Sequence, residues 1–224
     1  MRRCISGAWM VWTAVAIAGC TGGNSSTDNV PWSHLDMTQR PDQKVGGQHP
    51  GGGNNGGGQA GDGVSNISGA RPWRYIVIHH SANPDGNATT IGAAHKARGW
   101  DELGYHFVID NGNGGPNGRL EVGPRWKAQK WGAHTGNTPD NEYNKFGIGI
   151  CLVGNYQNHL PSKAQLAELE RLVRSLAARY GISPRDVISH RDAPGAKTEC
   201  PGDALHAWIY GTLRPSLGRQ MAHK

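Results

Sequence analysis

The chain has 224 residues, long enough for one ordinary domain with appendages, and its 34 glycines with 36% hydrophobic content exclude a chain that is globular throughout. A net charge of +6 suits an anionic polymer, but no Lys/Arg-rich run or basic helix marks a nucleic-acid surface, so nucleic acid is not an expected partner. The four cysteines, Cys4, Cys20, Cys151 and Cys200, make no paired framework, although a Cys151–Cys200 disulfide stays open.

Met1-Arg2-Arg3 followed by the apolar run from Ile5 to Ala18 has the form of an export signal and is too short for a comfortable membrane span. Ile17-Ala18-Gly19-Cys20 resembles the bacterial lipobox. That resemblance implies loss of residues 1–19, a lipid on Cys20, and an exported, membrane-anchored protein facing the periplasm or cell wall. Residues 20–69 are rich in Gly and Asn, with ten glycines among the nineteen residues from Val45 to Gly63, and bury too little to offset the entropy of ordering. They read as a disordered tether with a coil size on the order of 40 Å. The folded domain is expected over 70–215, with a C-terminal tail over 216–224.

Tyr75-Ile76-Val77-Ile78 is a short buried-strand pattern that ends in His79-His80. The stretch from Thr89 to Arg98 reads as a helix stopped by Gly99. Tyr105 to Asp110 reads as a strand, and Asn111-Gly112-Asn113-Gly114-Gly115 turns it into Leu120-Glu121-Val122 as a hairpin. Trp126, Trp131 and His134 fall in an irregular, polar stretch over 123–144, where aromatics serve either as packing or as the wall of a sugar groove. Phe146 to Val153 is almost continuously apolar, as a central strand buried on both faces would be; within it Cys151 reads as a small buried hydrophobe. Ser162 to Tyr180 is a helix with a Ser162/Gln165 capping box, a Gly181 stop and an apolar face of Leu166, Leu169, Leu172, Val173 and Leu176. Val187-Ile188-Ser189 is a short strand, and Asp203 to Leu213 a closing helix. Strands alternating with helices give an α/β fold, a single domain whose central mixed sheet is flanked by helices.

The chemistry concentrates between Ser189 and Gly202, where His190 and Cys200 lie ten residues apart on a loop turned by Pro194 and Gly195. Imidazole and thiolate are both good zinc ligands, and a third could come from His79-His80 at a strand end; three protein ligands leave a fourth position open to water. A nucleophilic Cys200 with His190 as its base is the other reading of the same pair.

Five stretches together carry a family resemblance: Ile-Val-Ile-His-His-Ser-Ala (76–82), Gly-Trp-Asp-Glu-Leu-Gly-Tyr-His-Phe-Val-Ile (99–109), Ala-His-Thr-Gly (133–136), Ile-Gly-Ile-Cys-Leu-Val-Gly-Asn (148–155), and Ser-His-Arg-Asp with Thr-Glu-Cys-Pro-Gly (189–202). In this order they resemble the zinc-dependent N-acetylmuramoyl-L-alanine amidases of type 2, which include phage lysozyme-amidases and peptidoglycan recognition proteins. The resemblance runs from about Trp73 to Trp208. It implies a Zn2+ ion held by His79, His190 and Cys200, with His79 preferred over His80 because phage and bacterial members show His-x-Ser/Thr-Ala. It also implies Tyr105 as a catalytic tyrosine, and Thr198, with Lys197 beside it, as the group that stabilises the tetrahedral intermediate. Trp131, His134 and Asn155 are the candidate substrate contacts; His134, like His106, reads alternatively as a group that orients a metal ligand or as a structural histidine. Many bacterial relatives carry a Glu where this chain has Cys151, so the general base is left to zinc-bound water with Tyr105, or to Glu199. The activity implied is hydrolysis of the bond between N-acetylmuramic acid and L-alanine in peptidoglycan by a monomer. The alternative is a lipoprotein that binds peptidoglycan without cutting it.

Overall fold

A computed structural model describes residues 71–221; the expected export signal, Cys20 and the tether lie outside them. Five strands, β1 (Tyr75–His80), β2 (Phe107–Ile109), β3 (Leu120–Val122), β4 (Gly147–Leu152) and β5 (Val187–Ser189), form one sheet in the order β3-β2-β4-β1-β5. β4 pairs in parallel with β1 and β2, β5 pairs in parallel with β1, and the β2–β3 hairpin alone is antiparallel. The sheet is therefore mixed, as its sequence pattern indicated.

Strand alternation divides the interior in two. Ile76, Ile78, Phe107, Ile109, Ile148, Ile150 and Leu152 join Leu169, Leu172, Val173 and Leu176 of α4 (Lys163–Tyr180) in the larger core. Val108, Cys151 and Val153 face the other way, with Leu103 and Tyr105, and meet Ala88 and Ile91 at α1 (Ala88–Ala97). His79 shares the parity of Val77, so it belongs to this second face.

The ends of α4 follow from its caps. Ser162 Oγ accepts a hydrogen bond from the Gln165 backbone N–H while Gln165 Oε1 accepts one from the Ser162 N–H, and Gly181 closes the helix in a left-handed conformation at φ +66°. Gln165 does more than cap: its Nε2 donates to the carbonyls of Ile109 and Val153, tying α4 to the strand ends.

Three expectations are corrected. Trp126 does not lie on an irregular loop; it sits in the short helix α2 (Pro124–Lys127), fully buried, its ring 4.7 Å from Phe107. A four-residue helix has too few turns to show a period, which hid it. Residues 142–146 of the same stretch form α3 (Glu142–Phe146). Nor does the domain end at 215: α5 (Asp203–Trp208) runs through a π-helical turn at Ile209–Leu213 into α6 (Arg214–Met221), whose Leu217 is in the main core.

Candidate metal centre

The site is assembled at the carboxyl ends of parallel strands, where loops leaving a sheet converge. β1 delivers His79, and because Ile78 pairs with Ser189 the first residue beyond β5, His190, arrives beside it; the two rings are 4.6 Å apart. The loop after His190 folds back so that Arg191 N–H donates to the Cys200 carbonyl at 2.9 Å, which brings the thiol to the strand ends. The return is braced from outside: Asp192 accepts hydrogen bonds from Ser189 Oγ, Tyr210 OH and His206 Nε2, pinning the turn to the C-terminal helices. Gly202 closes it at φ +90°, where an added Cβ would lie 2.4 Å from the Tyr156 backbone.

His79, His190 and Cys200 each place one ligand atom within 4.8 Å of the others, and all three are buried; this is the one such cluster found among the described residues. A tetrahedral zinc site with bonds of about 2.0–2.3 Å sets its ligand atoms about 3.4–3.7 Å apart. His79 Nδ1 and Cys200 Sγ are 3.7 Å apart. The electrostatics fit as well. Burial, reinforced by neighbouring imidazoles, holds His79 well below the usual histidine range, and burial with His80 nearby lowers His190 to about 4, so both are neutral with a lone pair to give. The His80 backbone N–H points at Cys200 Sγ at 3.4 Å, which favours the thiolate. Two neutral imidazoles and one thiolate are a donor set suited to Zn2+.

A groove of about 840 Å³ opens above, within the range of small-ligand sites. Tyr105, His190, Thr198 and Cys200 line it, and His79 lies wholly buried beneath. The Tyr105 ring is 5.1 Å from that of His79, and burial, with the thiols of Cys151 and Cys200 nearby, pushes its pKa well above the usual value, so the phenol keeps its proton at neutral pH. Thr198 Oγ1 accepts from the Cys200 backbone N–H at 3.1 Å, which leaves its own proton to donate. Asn155 is exposed on the rim.

Other expected site residues lie elsewhere. Trp131 is not among the groove-lining residues; it is half-buried between the cations of Arg71 and Lys145, at 5.5 and 5.4 Å. Lys197 is exposed and does not line the groove, and exposed Glu199 pairs loosely with Arg191 at 3.9 Å. His134 is no substrate contact: it is 1% exposed, and its Nδ1 is 3.1 Å from His79 Nε2. His106 is structural. Its Nδ1 accepts from Gly149 N–H, so Nε2 donates to the Lys130 carbonyl, and burial lowers its pKa to about 3. His80 lines the groove, yet its Nδ1 accepts from Tyr156 N–H at 3.2 Å and it stands outside the three-ligand cluster. No disulfide joins Cys151 and Cys200. Sequence reasoning missed Asp85, Arg98 and Asn113 on the groove wall; as polar residues at helix and loop ends they carry no pattern of their own.

A family model described as N-acetylmuramoyl-L-alanine amidase matches residues 69–203. A pig protein named N-acetylmuramoyl-L-alanine amidase is 33% identical over 148 residues, which are 60% of this chain and 22% of that protein. The chain thus spans less than a quarter of that relative's own length. Cattle peptidoglycan recognition protein 1 is 33% identical over 149 residues, 62% of this chain and 72% of that protein. Among solved structures, bumblebee PGRP-SA is similar with a TM-score of 0.52 at 26% identity, covering 67% of this chain and 91% of that one. Drosophila PGRP-LB is similar with a TM-score of 0.50 at 28% identity, covering 66% and 84%.

Proposed function

Since the chain belongs to the N-acetylmuramoyl-L-alanine amidase family, we propose that it hydrolyses, with zinc, the amide bond joining N-acetylmuramic acid to the L-alanine of a peptidoglycan stem peptide. The observation that carries this reading is the convergence of His79, His190 and Cys200 beneath a groove that Tyr105 and Thr198 line. A zinc ion on those three side chains would supply a Lewis acid for the amide carbonyl and lower the pKa of a water toward neutrality.

The chain's own groups supply the rest. His79, His190 and Cys200 would hold the ion with two neutral imidazoles and one thiolate, a set that would leave it a net positive charge to attract a carbonyl oxygen. The Tyr105 phenol, held protonated by its burial, donates a hydrogen bond where negative charge develops on that oxygen. Thr198, its oxygen already engaged by Cys200 N–H, turns its proton toward the same charge. The strand and loop hydrogen bonds hold these donors before substrate arrives, so little reorganisation is needed during reaction.

The same reading makes this a cell-wall enzyme, exported and held by a lipid on Cys20, with the tether letting the domain reach the polymer. That part rests on the lipobox-like sequence and on the composition of residues 20–69.

Relatives named for recognition favour a second reading, in which the groove holds peptidoglycan without cutting it. One experiment separates the two. Purified peptidoglycan is incubated with the protein and the soluble products are weighed by mass spectrometry. The hydrolytic reading requires free peptides beginning in L-alanine, their loss on chelation and their return with zinc. Bound but unreleased peptides would favour recognition alone.

A further inference from the structure

We propose that His134 is a positioning residue for the metal centre: it fixes the His79 imidazole as the Nε2–H tautomer, so that the Nδ1 lone pair faces Cys200 and His190. This rests on the zinc reading above, and it concerns a residue that touches neither substrate nor the cluster's ligand atoms.

The argument is a chain of donors and acceptors. His134 Nε2 lies 3.2 Å from the Gly147 carbonyl, which can only accept, so this nitrogen carries the hydrogen. With that hydrogen on Nε2, the ring's other nitrogen, Nδ1, is bare and can only accept. That bare nitrogen is 3.1 Å from His79 Nε2, which must therefore be the donor. With the His79 hydrogen on Nε2, the remaining lone pair is on Nδ1, the atom 3.7 Å from Cys200 Sγ. A backbone carbonyl on β4 thus sets the free ring atom of a residue on β1, through one intermediate imidazole. In the opposite tautomer, Nδ1–H would point at Cys200 and close the ligand position.

The surroundings are built to hold this ring and no larger group. A Cβ added at Gly132 would lie 2.2 Å from His134 Cδ2, and one at Gly149 would lie 2.3 Å from the same atom, so two glycines form the slot. Asn144 fixes the backbone of the segment: its Oδ1 accepts from His134 N–H and Thr135 N–H, and its Nδ2 donates to the Thr135 carbonyl. An apolar side chain would fill the space without the desolvation that a buried imidazole costs. An imidazole bonded at both nitrogens, one of them to a ligand, is what orientation of that ligand requires.

The test compares wild type, His134→Leu and His134→Asn. Asn places Oδ1 near the position of Nδ1 and can accept from His79 Nε2–H; Leu cannot. Zinc affinity is measured by competition with a chromophoric chelator, and the His79 tautomer is read in the metal-free protein by long-range proton–nitrogen NMR on labelled histidine. The expected results are an Nε2–H tautomer at His79 in wild type, a 10- to 100-fold weaker zinc affinity in His134→Leu, and recovery of most of it in His134→Asn. An Nδ1–H tautomer in wild type overturns the proposal even if His134→Leu fails to fold. Affinities equal to wild type in both variants, or equally reduced in both, also overturn it, since packing alone would then account for His134. Absence of zinc binding by the wild type would instead count against the metal reading, and the tautomer measurement would still decide the role of His134.

Discussion

Gly149→Ala puts one methyl group where the structure leaves no room. The new Cβ would lie 2.3 Å from His134 Cδ2 and 2.6 Å from its Cγ, against an ordinary contact of 3.4 Å or more, so the ring must retreat by about 1 Å. It cannot do so freely, because its two nitrogens are already bonded at 3.1 and 3.2 Å, to His79 and to the Gly147 carbonyl. A retreat of that size takes at least one of these bonds past the usual limit. Overpacking of this kind costs about 1–3 kcal/mol, and at about 2–4 °C per kcal/mol for a domain of this size the unfolding midpoint should fall by roughly 2–12 °C. Gly218→Ala is the matched control. It sits in α6 with nothing within 4 Å of an added Cβ, and should raise stability by about 0.5–1 kcal/mol. Thermal unfolding of the metal-free proteins, followed by circular dichroism, measures both. A Gly149→Ala protein that unfolds at the wild-type temperature would refute the claim that the His134 ring is locked between β4 and the metal centre.

Further outcomes follow from other parts of the structure. Tyr105→Phe removes one donor from the groove while leaving the buried ring, so kcat for peptide release should fall by about 100- to 1,000-fold with zinc content and unfolding temperature unchanged; an unaltered kcat would remove the phenol from the mechanism. Asp110 is buried at the end of β2, with Arg119 Nε donating to it at 2.9 Å, and burial together with the Glu121 carboxylate pushes its pKa up to about 6. Because the folded chain then binds this proton more tightly than the unfolded chain, stability should fall as pH rises from about 4 to about 6 and stay lower above. The shift corresponds to at most ~3 kcal/mol; with Arg119 half exposed, screening reduces the expected change to about 1 kcal/mol. Asp110→Asn should flatten that part of the pH profile in urea unfolding, and an unchanged slope would show that the proton resides elsewhere.

What was legible in the sequence depended on how locally the physics is written. The α4 helix could be read to within a residue because its cap, its stop and its apolar face all lie within twenty positions. β4 could be read because a strand flanked by β1 and β2 and covered on both faces must be apolar throughout. His79, His190 and Cys200 were visible as chemistry-bearing side chains near strand ends and on the following loop, while their convergence depends on the β1–β5 register, which no local pattern encodes. The role of His134 is not legible in the sequence for the same reason. Its partner His79 is 55 residues upstream, and a histidine on a polar stretch looks the same whether it faces a groove or a buried neighbour. Trp131 shows the converse: an aromatic on a polar segment reads equally as packing or as a sugar wall, and in the fold its ring has the cations of Arg71 and Lys145 at 5.5 and 5.4 Å.

X-ray absorption at the zinc edge, on protein loaded with one equivalent of metal, tests most directly whether His79, His190 and Cys200 share one ion. The account predicts one sulfur scatterer at about 2.3 Å with nitrogen scatterers at about 2.0–2.1 Å, and loss of the sulfur shell in Cys200→Ser. A spectrum without sulfur in the wild-type protein, or one that Cys200→Ser leaves unchanged, would contradict it.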